Sequence, residues 1–245
     1  MVRRGLAFAV VFSSVSAVSS PMRAEPRAVI ELFTSQGCSS CPAADRLLAE
    51  FARDPSLVSI SVPIDYWDYL GWKDTLADPR NSARQRGYAV MRGDGRVYTP
   101  QIVVNGILHA LGSDKAAVEH AIRKSRQNSG PLSLPVTAAI ADGQVSVSAP
   151  DAVIQRGGAE VWLCGIAKAI TVTIGRGENK GRTVTYHNVV RRWIRLGEWS
   201  GKAGEWTVPL KSLKGDDIDG VAVLVQSGTL DKPKTILGAT LAAIR

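Results

Sequence analysis

Along residues 28–64 the spacing of apolar positions changes twice. Val29, Ile30, Leu32 and Phe33 form a short run rich in strand formers. Gly37 breaks it, and Ala44, Leu47, Leu48 and Phe51 then recur at helical spacing. Val58, Ile60, Val62 and Ile64 alternate with Ser59, Ser61 and Pro63 in the two-residue period of a strand. Proline cannot donate to a ladder, so Pro63 predicts an edge strand or a bulge. Asp78 before Pro79 reads as an N-cap with proline at the first helical position. The polar helix that follows runs to about Met91, with Arg84, Gln85 and Arg86 on a solvated face. Asn105-Gly106 between two strand-like runs is a hairpin signal. Gly112-Ser113-Asp114 then caps a helix whose Ala117, Val118, Ala121 and Ile122 share one face. This order, β-α-β-α-β-β-α, predicts an α/β unit over 25–124: a mixed four-stranded sheet with helices on both faces.

Helical periodicity stops beyond residue 124. Residues 125–131, polar and ending in Gly130-Pro131, read as a linker. A hairpin follows over 136–140 and 145–149, turned by Asp142-Gly143. Further strands are expected at 161–166, 169–174, 183–190, 206–208, 221–226 and 235–241. Short strands with frequent glycine turns predict an all-β, sandwich-like domain over 132–245. Gly177 to Arg182 reads as a hairpin loop, and Arg191, Arg192 and Arg195 as a solvated strand face.

The N-terminus changes the picture of where the chain works. Arg3 and Arg4, an apolar run from Leu6 to Phe12 and small residues through Ser20 have the pattern of a secretory signal over 1–24. The run is too short to span a bilayer, so the mature chain is expected in the periplasm or outside the cell, with no membrane insertion. Removing Arg3, Arg4 and Arg23 from the formal +8 leaves +5. No basic stripe with interleaved aromatics exists, which argues against nucleic acid as a partner.

The candidate chemistry lies in Cys38-Ser-Ser-Cys41, between the first strand and the first helix. The positive end of a helix favours the thiolate, the reactive form of cysteine. Pro42 suits the first turn of that helix. Two residues between cysteines close a loop too small to be an effective staple, whereas such a pair can open and close by exchange. Cys38, nearer the helix start and the more exposed of the two, is expected to attack a disulfide, and Cys41 to resolve the mixed intermediate. The partners expected are protein or small-molecule disulfides and dithiols. Neither cofactor nor metal is required, since His109, His120 and His187 show no ligand spacing with the pair. Two other readings stay open: a binding module with a static disulfide, and a Cu(I) carrier using both thiolates. Tyr66, Trp67, Tyr69 and Trp72, four aromatics in seven residues, read as loop packing or as a substrate-binding surface. Cys164, left over, reads as a buried apolar residue.

Residues 28–124 resemble a thioredoxin-fold domain, with the cysteine pair opening the first helix and Thr99-Pro100 preceding the third strand. The resemblance implies a cis bond at Pro100 beside the cysteines, with Thr99 offering backbone hydrogen bonds to a partner. More narrowly, the chain resembles the secreted bacterial thioredoxin-like proteins of the DUF1223 family. The stretches that carry this resemblance are 31–45 (ELFTSQGCSSCPAAD), 65–74 (DYWDYLGWKD) and 98–106 (YTPQIVVNG). Ser39-Ser40 stands where thioredoxins have Gly-Pro, and Gln36-Gly37 where a tryptophan precedes their first cysteine. Gln36 and Gly37 are therefore assigned to the substrate side. Glu31 is the expected counterpart of the buried acid that thioredoxins place beneath their cysteines.

Overall fold

The computed structural model describes residues 25–127, 130–153, 157–213, 215 and 217–244; the leader read at 1–24 lies outside them. The first run forms β1 (Ala28–Thr34), followed by α1 (Cys41–Phe51) and β2 (Leu57–Pro63), with β2 parallel to β1. α2 (Pro79–Arg92) is N-capped by Asp78, whose carboxylate accepts from the Arg80 N–H. β3 (Gln101–Val104) and β4 (Leu108–Leu111) form the expected hairpin, and Asn105 and Gly106 both take positive φ, 52° and 74°. α3 (Lys115–Ser125) is capped by Asp114 and continues to Ser125, at the start of the stretch read as a linker.

β1 is sided. Ala28, Ile30 and Leu32 pack against Ala44, Leu47 and Leu48 of α1 and Val118 and Ile122 of α3. Val29 and Phe33 face the other way, towards Tyr88 of α2. The strand is buried on both faces, which explains why its sequence reads as a run and does not alternate.

The later strands are β5 (Thr137–Ala141), β6 (Gln144–Ala149), β7 (Ala159–Thr173), β8 (Thr183–Trp199), β9 (Gly204–Pro209), β10 (Gly220–Gly228) and β11 (Pro233–Ala243). The two strands expected at 161–166 and 169–174 are one, β7. The pairing with β8 runs in register across the apparent break, with Ala167 opposite Val189 and Ala169 opposite His187, and the nearby shift at Gly165 and Ile166 is taken up by an extra residue, Arg191, on β8. β8 likewise runs past its expected end. Its arginines are tied within the chain: Arg191 to Asp217, Arg195 to Glu160 and Glu198, and Arg192 to the Ser212 carbonyl.

Among the described residues, eight strands form one sheet in the order β11-β10-β7-β8-β2-β1-β3-β4, and β5-β6-β9 form a second. The first half thus supplies four strands of a mixed sheet with helices, and the β-rich C-terminal half continues it. The join is narrow, a parallel pairing at Ser61 and Val189. β8 therefore covers the flank of β2, and the edge position expected from Pro63 does not exist; Pro63 is tolerated because it is the strand's last residue. The smaller sheet packs on β7 and β10 through Val145, Val147, Val161, Leu163, Val221 and Val223.

Candidate active site

The site is built where β1 runs into α1. Cys38 and Cys41 are joined by a disulfide, with Cα atoms 5.4 Å apart. The turn is closed by the Cys38 N–H on the Ser35 carbonyl and by the Cys41 N–H on the Cys38 carbonyl. α1 begins at Cys41 and has no acidic residue of its own in its first turn, so no side chain of that turn offsets the helix dipole at the pair. Both sulfurs are covered. Cys38 is 2% exposed and Cys41 0%, which corrects the expectation that Cys38 is open to solvent.

The cover comes from two places. The segment between β2 and α2 lies against the turn: at Gly37 an added Cβ would stand 3.0 Å from Cβ of Trp67 and 3.2 Å from its carbonyl. This approach explains the glycine. Trp72 donates through Nε1 to Gln36 Oε1 at 2.7 Å, and Trp67 through Nε1 to Thr99 Oγ1 at 2.8 Å. Tyr66 donates to Gln85 Oε1. Of the four aromatics, Tyr69 alone points outward; it is 78% exposed and stacks on Trp67 with centroids 6.3 Å apart. The second cover is the loop between β7 and β8. Asn179 Nδ2 donates to the carbonyls of Gln36 and Cys38 at 2.9 and 2.8 Å, and the Ser39 N–H donates to Glu178.

Thr99–Pro100 is cis. Pro100 is buried beside α1: an added Cβ on Gly112 would stand 3.1 Å from Cβ of Pro100 and 3.2 Å from Cβ of Ala44. The Pro100 carbonyl accepts from the Gly112 N–H.

Beneath the turn lies a pair of buried carboxylates. Asp45 sits one helical turn after Cys41, a spacing that puts both on one face of α1. Its Oδ1 accepts from Thr34 Oγ1 at 2.8 Å, while Oδ2 has no partner among the described residues. Burial pushes its carboxyl up to about 8; the Thr34 hydrogen bond works against this and the neighbouring Asp74 charge adds to it. Asp74, lifted by burial to about 6, accepts from the backbone N–H groups of Gln36 and Leu76. The hydroxyl of Tyr186 on β8 has its pKa raised, mainly by burial and further by the charges of both carboxyls.

Glu31 lies elsewhere. It is on the face of β1 opposite α1, bound to Arg84 Nε at 2.7 Å and to the Tyr88 hydroxyl. Arg84 and Gln85 are themselves 0% exposed, so the solvated face expected at 84–86 shrinks to Arg86. The guanidinium loses hydration, yet the Glu31 carboxylate raises its pKa and keeps it charged. Cys164 is buried near this cluster, and burial pushes its thiol up. The structure therefore gathers Cys38, Cys41, Gln36, Gly37, Trp67, Trp72, Thr99 and Pro100 at one end of the sheet and leaves Glu31 out. The sequence reading passed over Asp45, although its four-residue spacing from Cys41 on α1 was a signal that could have found it. Asn179, 141 positions from Cys38, had no local signal. Among the described residues no three His, Cys, Asp or Glu side chains are grouped to hold a metal ion.

A family model described as "Protein of unknown function (DUF1223)" matches residues 29–226, and the chain belongs to that family. It is similar to a protein from Agrobacterium tumefaciens solved by X-ray crystallography. The two are 30% identical over 91% of this chain and 96% of that one, with a TM-score of 0.80. HBP35 of Porphyromonas gingivalis shares the fold at 13% identity and a TM-score of 0.61, over 90% of this chain and 76% of that one. No curated protein matches the chain.

Proposed function

We propose that the protein is an exported thiol–disulfide oxidoreductase, working through Cys38 and Cys41 on a thioredoxin-like N-terminal unit. The observation that carries this reading is the disulfide closed at the start of α1 with an uncharged first helical turn behind it. The order β1-α1-β2-α2-β3-β4-α3, with Pro100 packed against α1, supports the thioredoxin-like assignment. In the oxidising direction, a substrate thiolate attacks Cys38 Sγ, and Cys41 leaves as a thiolate. A second substrate thiolate then displaces Cys38, so two electrons pass to the pair and the substrate gains a disulfide. Asp45 replaces Glu31 as the proton carrier: protonated near neutrality, it gives a proton to the departing Cys41 sulfur and takes it back when the pair reoxidises. Thr99 and Pro100 form the wall on the partner's side.

The test is equilibration with glutathione or dithiothreitol buffers. The expected result is reversible exchange at a potential between about −270 and −120 mV, abolished by Cys38→Ser and trapped as a mixed disulfide by Cys41→Ser. A pair inert to every buffer would overturn the reading. The burial of both sulfurs favours one alternative, a binding module in which the disulfide is static; full biological activity of a double cysteine variant would identify it.

A further inference from the structure

Asn179 poses a question that a disulfide used only as a staple would not raise. Its amide nitrogen carries two hydrogens, and both go to main-chain carbonyls of the cysteine turn, Gln36 at 2.9 Å and Cys38 at 2.8 Å. Its Oδ1 is buried with no partner among the described residues. A buried acceptor left unmade opposes the closed arrangement. Next to it the Ser39 N–H donates to the Glu178 carboxylate over 3.3 Å at an exposed position. Two side chains of the C-terminal half thus occupy two acceptors and one donor of the main chain flanking Cys38.

The loop that carries them is self-contained. Ile174 N–H donates to the Arg182 carbonyl, Gly181 N–H to Ile174, Lys180 N–H to Gly177 and Arg182 N–H to Asn179. None of these bonds is made to the cysteine turn, so the loop can lift without losing its own structure. Gly177 and Gly181 hold φ of 75° and 81°, and an added Cβ at Gly181 would meet nothing within 4 Å. Beyond Asn179 and Glu178, the loop rests on the Trp72 ring, which an added Cβ on Gly175 would approach to 2.8 Å, and it is rooted at Ile174, buried with Leu76 and Tyr186, so the part free to lift is Gly175 to Gly181.

We propose that the Gln36 and Cys38 carbonyls form a docking site for the main-chain N–H groups of a polypeptide carrying the partner disulfide or thiol, and that Asn179 occupies this site as a displaceable cover, with Glu178 holding the loop from the other side of the Cys38–Ser39 peptide. The inference rests on the thiol-exchange reading. A polypeptide suits the site because its main-chain N–H groups can replace the two hydrogens that the Asn179 amide gives to these carbonyls. Cys38 is 2% exposed beneath this loop and the segment that carries Trp67 and Trp72, so lifting the loop removes one of its two covers.

The experiment follows reduction of the Cys38–Cys41 bond in the full chain by dithiothreitol, and its exchange with a short peptide carrying two thiols. In the first reaction each bond reduced oxidises one dithiothreitol to its cyclic disulfide, and the two cysteines take up two electrons and two protons. In the second the peptide dithiol becomes a disulfide by the same balance. Asn179→Ala should speed both reactions about 10-fold, with the peptide gaining at least as much as dithiothreitol. Asn179→Asp has the same size and sets a carboxylate against the two carbonyls; it should do the same, and it carries the test if the alanine variant fails to fold. Lys180→Ala, exposed on the same loop, should leave both rates unchanged. Wild-type and Asn179 variants exchanging at one common rate would overturn the cover and leave thiol exchange standing. A gain confined to dithiothreitol would overturn the docking site. If no protein exchanges with either reagent, the thiol-exchange reading falls and this inference falls with it.

Discussion

Two acids are buried against opposite faces of β1, and they are treated differently. On the face away from α1, Glu31 meets Arg84, Tyr88 and, through Arg84, Gln226 of β10. Arg84 also lies over the rings of Tyr88 and Trp193, 5.0 and 4.8 Å from their centroids. On the α1 face, Asp45 has a threonine hydroxyl and a second acid for neighbours. A buried charge is tolerated when a counter-charge and hydrogen bonds replace its water; without them the group holds a proton instead. The first cluster therefore ties α2 and β10 to β1. The second keeps a titratable proton one turn from Cys41. Burial alone marks neither role; the partner does.

The comparison breaks most visibly at Arg84. Arg84→Met should cost about 3–5 kcal/mol in denaturant unfolding, because it leaves Glu31 buried without its cation. Pairing it with Glu31→Leu should recover most of that loss. A loss under about 1 kcal/mol in the single variant would show that the ion pair does not hold the halves together.

Asp45 predicts the opposite sign. Its native pKa is raised to about 8 from 3.8, so between these values the native state holds a proton that the unfolded chain has released. Stability from this group is complete below about pH 4 and falls as pH rises towards 8. Asp45→Asn copies the protonated form and should flatten that decline, gaining about 1 kcal/mol or more at pH 8. Urea midpoints measured at pH 4, 6 and 8 check it; parallel curves for the two proteins would place an ionised Asp45 in the native state. Thr34→Val should cost about 1 kcal/mol and raise the Asp45 pKa further, since the threonine hydrogen bond lowers it; carboxyl titration by NMR reads this shift. Arg86→Ala, two residues from Arg84 but exposed, should stay within about 0.5 kcal/mol. A larger loss would mean that the distinction between the two arginines has been drawn wrongly.

Arg84 and Arg86 also show how far the sequence could be read. Both stand in a polar helix, and a local pattern assigns both to solvent. Arg84 is buried because Glu31, 53 positions earlier, waits on β1, and pairing across that distance leaves no trace in helical spacing. β7 was similarly split in two because its positions change at Ala167-Lys168 from continuously buried to exposed, while its ladder with β8 runs on. The turn of Cys38 and Cys41, the cap at Asp78, the hairpin at Asn105-Gly106 and the order of the first seven elements were legible, since each depends on residues a few positions apart.

The local sequence dictates where the first-half elements start and stop and puts two cysteines at the head of a helix, because caps, glycine turns and apolar periods act over one or two turns of chain. Tertiary structure decides which acid lies beneath the cysteines, which arginine is hidden, and that Asn179 lies over Cys38. Those outcomes depend on which face of β1 each partner packs against and on the join of β8 to β2 at Ser61 and Val189. They arise from burial, and burial is settled only when distant segments meet.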